Sequence, residues 1–438
     1  MQIEHRCPQC DGPIILDETD RLLICSFCKT KLCIQPKDYL RYCFAPCGPL
    51  LEEVLFVPYW RFRGIRFLCK TSRIEDGIVD KTFLAIDSKH FAPTLGIRPQ
   101  SLKLRFVQTA ENTRFIAPKI SFDRASVETK NDVVYEIVTV HETRFIRRGT
   151  QGDYDEVPET RRELKEDRVY HEAFMADTTS LIYTPVFVRN GRFFDAILNE
   201  PLYGGPAVHE SLPYEVFSGN WEVDFLPTLC PDCGWDTIAE KDSCVLLCKT
   251  CNSAWESRPQ GLKRVGFATA ISGKAAKSSP RQYLPFWRIQ ADVEGIKLGC
   301  YADLVRLGNL PKVIQPHWEE PPFSFWTPAF RMTPSVFRRL SKQFTIAGFS
   351  GEMDDRIPDA PIHPVNLPLE DAVDSLVTII ADLGINKKKV LPALPHIKMK
   401  VREALLVLFP FTETDHECVQ PDIKCGFMKN ALQWGRNI

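Results

Sequence analysis

An excess of charge of either sign is missing from this sequence. Its 438 residues hold 55 lysines and arginines against 56 aspartates and glutamates, a formal net charge of -1. A surface built to neutralise many phosphates carries a basic excess, so the balance argues against a protein devoted to a polyanion. The short runs Arg338-Arg339 and Lys387-Lys388-Lys389 read as solvated faces. Long apolar runs are absent too, and none approaches the ~18–20 residues needed to span a bilayer as a helix. The first residues, MQIEHRCPQC, carry no apolar signal-peptide core. No membrane span and a cytoplasmic location are therefore expected. Glycine is scarce at 23 and proline frequent at 33, which favours short strands and rigid loops over long helices.

Catalytic fingerprints are missing as well. His141, His171, His209 and His416 each precede a glutamate, but none completes H-E-x-x-H, the two-histidine zinc motif of a protease helix. Neither G-x-G-x-x-G nor G-x-S-x-G occurs. GFATAISGKAA is only a faint match to a phosphate loop. Ala268 stands where the first glycine belongs, and Ala275 where a hydroxyl is needed for magnesium. Without C-x-x-C-H, covalent haem is excluded. No enzyme site can be read from these residues.

Cysteine is plentiful, at 16 residues. In a reducing compartment these are thiols or metal ligands rather than disulfides. Eight fall into two tetrads, Cys7, Cys10, Cys25 and Cys28, then Cys230, Cys233, Cys248 and Cys251. Both read C-x2-C, a 14-residue spacer, then C-x2-C. At this cysteine content one such match arises by chance about once in twenty thousand trials per cysteine, and it occurs twice. Two tight turns each present a pair of thiolates, and a hairpin between them closes the set around one tetrahedral ion. Leu22–Ile24 and Val245–Leu247 read as the hairpin strands, and Gly12 and Gly234 as the permissive turn residues. Four sulfurs leave no position open to water, so structural sites are expected, not catalytic ones.

These tetrads resemble the zinc-ribbon superfamily, the small modules of TFIIB-type transcription factors and of many bacterial proteins. The CPxC half is also similar to rubredoxin, where the knuckles lie further apart. The resemblance covers about 60 residues and implies two Zn2+ ions per chain. It leaves function open, because ribbons serve protein docking and nucleic-acid binding alike.

The ribbons are 223 residues apart, which invites a search for a repeat. VPYWRFRG follows the first and LPFWRIQA the second, with Pro58 answering Pro285 at an offset of 227. Trp287, Ile289, Ala291 and Val293 alternate with polar residues as on a half-buried strand. SLIYTPVFVRNGRFFDAIL, with a hairpin turn at Asn190-Gly191, is answered by ALLVLFPFTETDHECV, Pro410 against Pro185. The expected fold is mainly β with some α, as two ribbons each followed by a mostly antiparallel β body, through internal duplication. The expected units are ribbon 1 at 1–36, body 1 at 37–227, ribbon 2 at 228–257, a linker at 258–280 (with SGKAAKSSPRQ at its end) and body 2 at 281–438. QGDYDEVPETRRELKEDR reads as an exposed loop or helix. Two helices are expected. One is capped by Thr333 with Val336, Phe337, Leu340 and Phe344 inward. The other spans Leu369–Leu383 with Val373, Leu376, Val377, Ile380 and Leu383 inward and Gly384 as its stop.

Eight cysteines remain: Cys33, Cys43, Cys47, Cys69, Cys244, Cys300, Cys418 and Cys425. The reading is small buried thiols, with a further site from Cys33, Cys43 and Cys47 as the alternative. Trp60, Trp287 and Trp326 read as core aromatics rather than a groove for bases. The chain is thus expected to be a structural zinc-binding scaffold or adaptor, not an enzyme, that docks on protein partners in a multiprotein assembly. A nucleic-acid-binding or transcription accessory protein is the alternative, and an enzyme with an unseen site the next.

Overall fold

β-Branched and aromatic residues concentrate in Val54–Lys70 and in the last third of Asp153–Arg189, and these pair antiparallel as the spine of a twelve-stranded sheet. The computed structural model describes residues 1–48, 52–71, 73–108, 113–121, 133–148, 153–202, 216–217, 221, 223–258, 261–272, 281–320 and 322–432. Within them the architecture is mainly β with some α, and most strand pairs are antiparallel.

The proline-aromatic strand is buried on both faces at its start, not half-buried. Leu55, Val57 and Tyr59 enter one core with Ile182 and Val186. Val54, Phe56, Trp60 and Phe62 enter another with Leu181 and Tyr183. A strand walled on both sides loses its polar alternation. In the second half, Arg281–Glu294 pairs antiparallel with Lys398–Glu413 as the spine of a seven-stranded sheet. Its Leu284, Phe286 and Trp287 are likewise fully buried, and beyond them only Ile289 is buried between half-buried neighbours, with Ala291 and Val293 half-buried like Asp292.

The two spines share one register. Pro58 faces Tyr183 and Pro285 faces Leu408; Pro185 faces Phe56 and Pro410 faces Tyr283. In each half the strand after the ribbon runs parallel to the return strand, Arg41 beside Leu181 and Phe267 beside Leu406. A third strand flanks each spine antiparallel, Phe83 against Trp60 and Thr327 against Trp287. Even the indoles agree, since Trp60 Nε1 donates to the Ile120 carbonyl at 2.7 Å and Trp287 Nε1 to that of Leu367 at 3.0 Å. All three tryptophans singled out are core residues, Trp326 at 1% exposure.

The halves differ in what is added. Among its described residues, QGDYDEVPETRRELKEDR is neither loop nor helix. Its described part, from Asp153, is the start of a 37-residue strand that pairs with Val133–Arg148 as a long hairpin. Cross-strand partners along its whole length override a charge pattern that reads as solvated coil. The Asn190-Gly191 turn forms as expected, with φ of 51° and 69°. In the second half, helices Pro334–Ala347 and Leu369–Leu383 cover the sheet. Thr333 caps only through its carbonyl, which accepts from the Val336 and Phe337 amides. Helix 369–383 buries Ala372 and Ile379 besides the expected Leu376, Ile380 and Leu383, while Val373 and Val377 stay partly buried. Gly384 ends it with φ of -68°, not left-handed. It is glycine for space, since a Cβ there meets Val390 Cγ2 at 2.6 Å. The described part of the expected linker, 258–280, is not a free connector. Gly261–Val265 pairs with Ser253–Arg258 and Phe267–Ala270 joins the seven-stranded sheet, while most of SGKAAKSSPRQ, at 273–280, lies outside the described residues.

The halves share a core. Ile65, Phe67, Cys69, Ala173 and Met175, at the far end of the first spine, pack into the cluster of the second half, with Phe67 stacked on Phe337 at 6.2 Å. Gly64 permits this spine, because a Cβ there would collide with the Met175 carbonyl oxygen beside the bulge at Ala176/Thr178.

Candidate metal centres

Each tetrad is assembled from two knuckles and one hairpin. In the first, the Asp11 amide donates to the Cys7 carbonyl at 2.8 Å, and the Lys29 amide to that of Cys25 at 3.0 Å. Strand Leu22–Ile24 pairs antiparallel with Lys31–Gln35 and delivers Cys25. In the second, the Gly234 amide donates to the Cys230 carbonyl at 2.8 Å, and Val245–Cys248 pairs with Ser253–Arg258. The residue after each second knuckle cysteine is left-handed: Asp11 (φ 58°), Lys29 (63°), Gly234 (75°) and Asn252 (51°). Gly234 is thus the expected permissive residue, but in the first knuckle Asp11 takes that part. Gly12 is needed for another reason, because the Phe27 ring lies over it and a Cβ meets Phe27 Cδ2 at 2.8 Å.

The eight sulfurs form two groups, in each of which the ligand atoms all lie within 4.8 Å of one another. Cys7 and Cys28 are 3.7 Å apart, as are Cys10 and Cys25; Cys230–Cys251 and Cys233–Cys248 are 3.5 Å apart. Four thiolates at about 2.3 Å from a tetrahedral ion stand about 3.8 Å from one another, so both groups have the size and donor chemistry to hold a metal ion. Hydroxyls sit beside them at equivalent places, Thr30 at 3.2 Å from Cys28 Sγ and Ser253 at 3.0 Å from Cys251 Sγ. The Thr30 hydroxyl and amide hold the Cys28 thiol down to about 6. Burial raises Cys230, but the Ser253 hydroxyl and the Cys233 and Asp232 amides outweigh it and bring that thiol to about 6. In the same tetrads the Gly12 amide pulls Cys10 down and the Ser253 hydroxyl pulls Cys251 down, but burial and the neighbouring sulfurs outweigh them and push each thiol up to about 12. The four sulfurs of each set thus share protons until a cation displaces them.

The leftover cysteines do not join a third group. Among the described residues the two tetrads are the groups of three or more potential ligands. Cys33, Cys69, Cys244, Cys300, Cys418 and Cys425 are buried, Cys43 is half-buried and Cys47 exposed. Burial raises the Cys33 thiol to about 11 and Cys69 to about 12, as befits apolar packing groups.

The ribbons brace each other. The Arg21 and Leu22 amides donate to the Lys241 carbonyl at 2.7 and 2.8 Å, Gln35 Nε2 donates to Ser257 Oγ, and Leu22, Cys33 and Leu246 form one small core. Beside this contact lies a cavity of about 390 Å³ lined by both ribbons and both bodies. An ion network that no sequence motif announced reaches its wall through Glu18, Asp177 and Asp371. Glu18 accepts from Arg61 at 3.1 Å and pairs with Arg63, Arg63 Nε is 3.5 Å from Asp177, and Arg331 reaches Asp177 at 2.8 Å and Asp371 at 3.6 Å. Burial raises Asp371 to about 6 despite Arg331 and Arg21, with Asp374 and Glu370 adding to the rise.

No protein-family model, no curated protein and no solved structure matches the chain. Its reading rests on the residues and their geometry. No helix among the described residues is long and apolar enough to cross a membrane.

Proposed function

We propose that this chain is a zinc-stapled scaffold or adaptor that docks on other proteins within a multiprotein assembly. Zn2+ occupies each ribbon, held by Cys7, Cys10, Cys25 and Cys28 and by Cys230, Cys233, Cys248 and Cys251. The observation that carries the reading is the closed all-sulfur donor set of both tetrads, which leaves an ion no position for water or substrate. The metal then serves to hold shape, and it does so where the two ribbons meet. The units proposed are ribbons at 1–36 and 228–257, bodies at 37–227 and 281–438 and a connecting segment at 258–280, whose Gly261–Val265 and Phe267–Ala270 extend the ribbon and body sheets, in the cytoplasm.

The shared register of the two spines, with both prolines and both indole hydrogen bonds in corresponding places, supports an origin by internal duplication. Two similar units at a set separation suit bivalent docking, in which the second contact forms at high effective concentration. Affinity purification of the tagged chain from its native host tests the reading. A protein complex stable to moderate salt and lost in the Cys25→Ser and Cys248→Ser variants is expected. Tight, salt-resistant binding of nucleic acid by the isolated chain, with no protein partner recovered, would overturn it.

A further inference from the structure

The two tetrads share one spacing but not one environment. In the second, Cys233 and Cys251 are half-buried, and Trp255 and Leu262 pack on the sulfurs. The Trp255 indole donates to Ser253 Oγ at 2.8 Å. That bond occupies a lone pair of the hydroxyl and leaves its proton for Cys251 Sγ at 3.0 Å or Cys230 Sγ at 3.5 Å. A thiolate that accepts a hydrogen bond under an aromatic cover is a poorer nucleophile and a better-held ligand. In the first, Cys10 and Cys28 are exposed. Thr30 matches Ser253, but Leu32 stands where Trp255 would, so no indole orients the hydroxyl. The aromatic present, Phe27, is itself 63% exposed.

We propose that the first ribbon is a redox-responsive zinc site, which a hydroperoxide empties while the second ribbon keeps its ion. This rests on zinc occupying both tetrads. An exposed thiolate of Cys10 or Cys28 attacks the O–O bond of hydrogen peroxide, forming a sulfenic acid and releasing hydroxide, which takes a proton to become water. The neighbouring thiolate at 3.7 Å, Cys25 for Cys10 or Cys7 for Cys28, then displaces the second oxygen as water and forms the S–S bond. Two sulfurs lose two electrons, one peroxide gains them, two protons come from solvent, and Zn2+ leaves to solvent. The consequence falls on the junction, because the first ribbon's hairpin supplies the amides held by the Lys241 carbonyl and the Leu22 of the shared core.

The test uses the full chain, its zinc content measured first, treated with hydrogen peroxide in the presence of a chromogenic zinc chelator. Two phases are expected, one ion leaving at least about tenfold faster than the other. Alkylation and peptide mapping after the fast phase should find a disulfide within the first tetrad, Cys10–Cys25 or Cys7–Cys28, and the second tetrad reduced. Trp255→Phe, which keeps a ring and removes the N–H, should speed the slow phase and leave the fast one unchanged. Two ions leaving at one rate, or oxidation of the second tetrad first, would overturn the proposal alone. A purified chain with fewer than two zinc ions would overturn the metal reading and this proposal with it.

Discussion

Replacing Asp371 by asparagine tests the junction network directly. Burial raises this carboxyl from 3.8 to about 6 in the folded chain, so the folded state prefers the neutral acid. Stability from that preference is fully present below the unfolded value near 3.8 and is lost as pH rises through about 6. Above pH 7 the charged form therefore carries the whole cost. A shift of about two units at 1.36 kcal/mol each corresponds to about 3 kcal/mol. The side chain keeps 22% exposure at the cavity wall, and solvent screening there brings the expected figure to about 1–2 kcal/mol. Asparagine resembles the neutral acid, and Arg331 is not stranded by the change, because Asp177 holds it at 2.8 Å. Asp371→Asn should thus be the more stable protein at pH 8, by a higher urea midpoint at unchanged slope, with about half the gain left at pH 5. Zinc must be kept saturating throughout. A variant less stable than the parent at pH 8, or a difference independent of pH, would refute the reasoning.

Metal analysis of the purified chain should find two zinc ions; one zinc, or mainly iron, would sink the assignment. Cys25→Ser should unfold its half by thermal melting, since zinc in small ribbons contributes on the order of 10 kcal/mol, whereas Cys47→Ser, at an exposed thiol, should leave the melt unchanged. Gly64→Ala places a methyl against the Met175 carbonyl and should cost about 2 kcal/mol or more in denaturant unfolding. Trp287→Phe leaves the Leu367 carbonyl without its donor and should destabilise the chain by about 1–3 kcal/mol on the same assay.

What was legible in the sequence is what short-range chemistry determines. Metal geometry ties ligand types to spacing, so both tetrads were readable, and the Asn190-Gly191 turn likewise follows from two residues. The Pro-aromatic-Trp echo pointed to corresponding strands because Pro58 and Pro285, with Pro185 and Pro410, fall in equivalent register. Long-range partners left no such trace. Glu18, Arg63, Asp177, Arg331 and Asp371 are scattered over most of the chain, with Arg63 and Asp177 on the first spine, Glu18 in the first ribbon and Arg331 and Asp371 in the second half, and only the tertiary fold brings them together. The hairpin from Asp153 was misread for the same reason, since its strand character comes from pairing with Val133–Arg148. Gly12 and Gly384 were recognised as special, but the cause was a neighbouring side chain, Phe27 or Val390, not the backbone angle.

The ribbons also differ in where their third strand originates. The second completes its small sheet with Gly261–Val265, just past its own hairpin. The first borrows Asp224–Pro227, almost two hundred residues on and immediately before the second ribbon, with Leu226 facing Cys33. Leu22 and Cys33 are fully buried, with Leu246, Leu226, Ala239 and Leu262 from beyond the first ribbon packed against them. A peptide of residues 1–36 therefore lacks both its outer strand and its cover, while one of residues 228–266 keeps its strand. Because metal binding and folding are one equilibrium in such modules, the missing contacts appear as lost zinc affinity. Removing the cover from two apolar side chains forfeits about 1–2 kcal/mol, and 1.4 kcal/mol is tenfold. Competition against a chromogenic chelator at pH 7 should accordingly rank the second peptide about tenfold tighter than the first. Equal affinities would mean that the borrowed strand adds nothing to the first site, and that its weakness, if any, lies in the exposed thiolates alone.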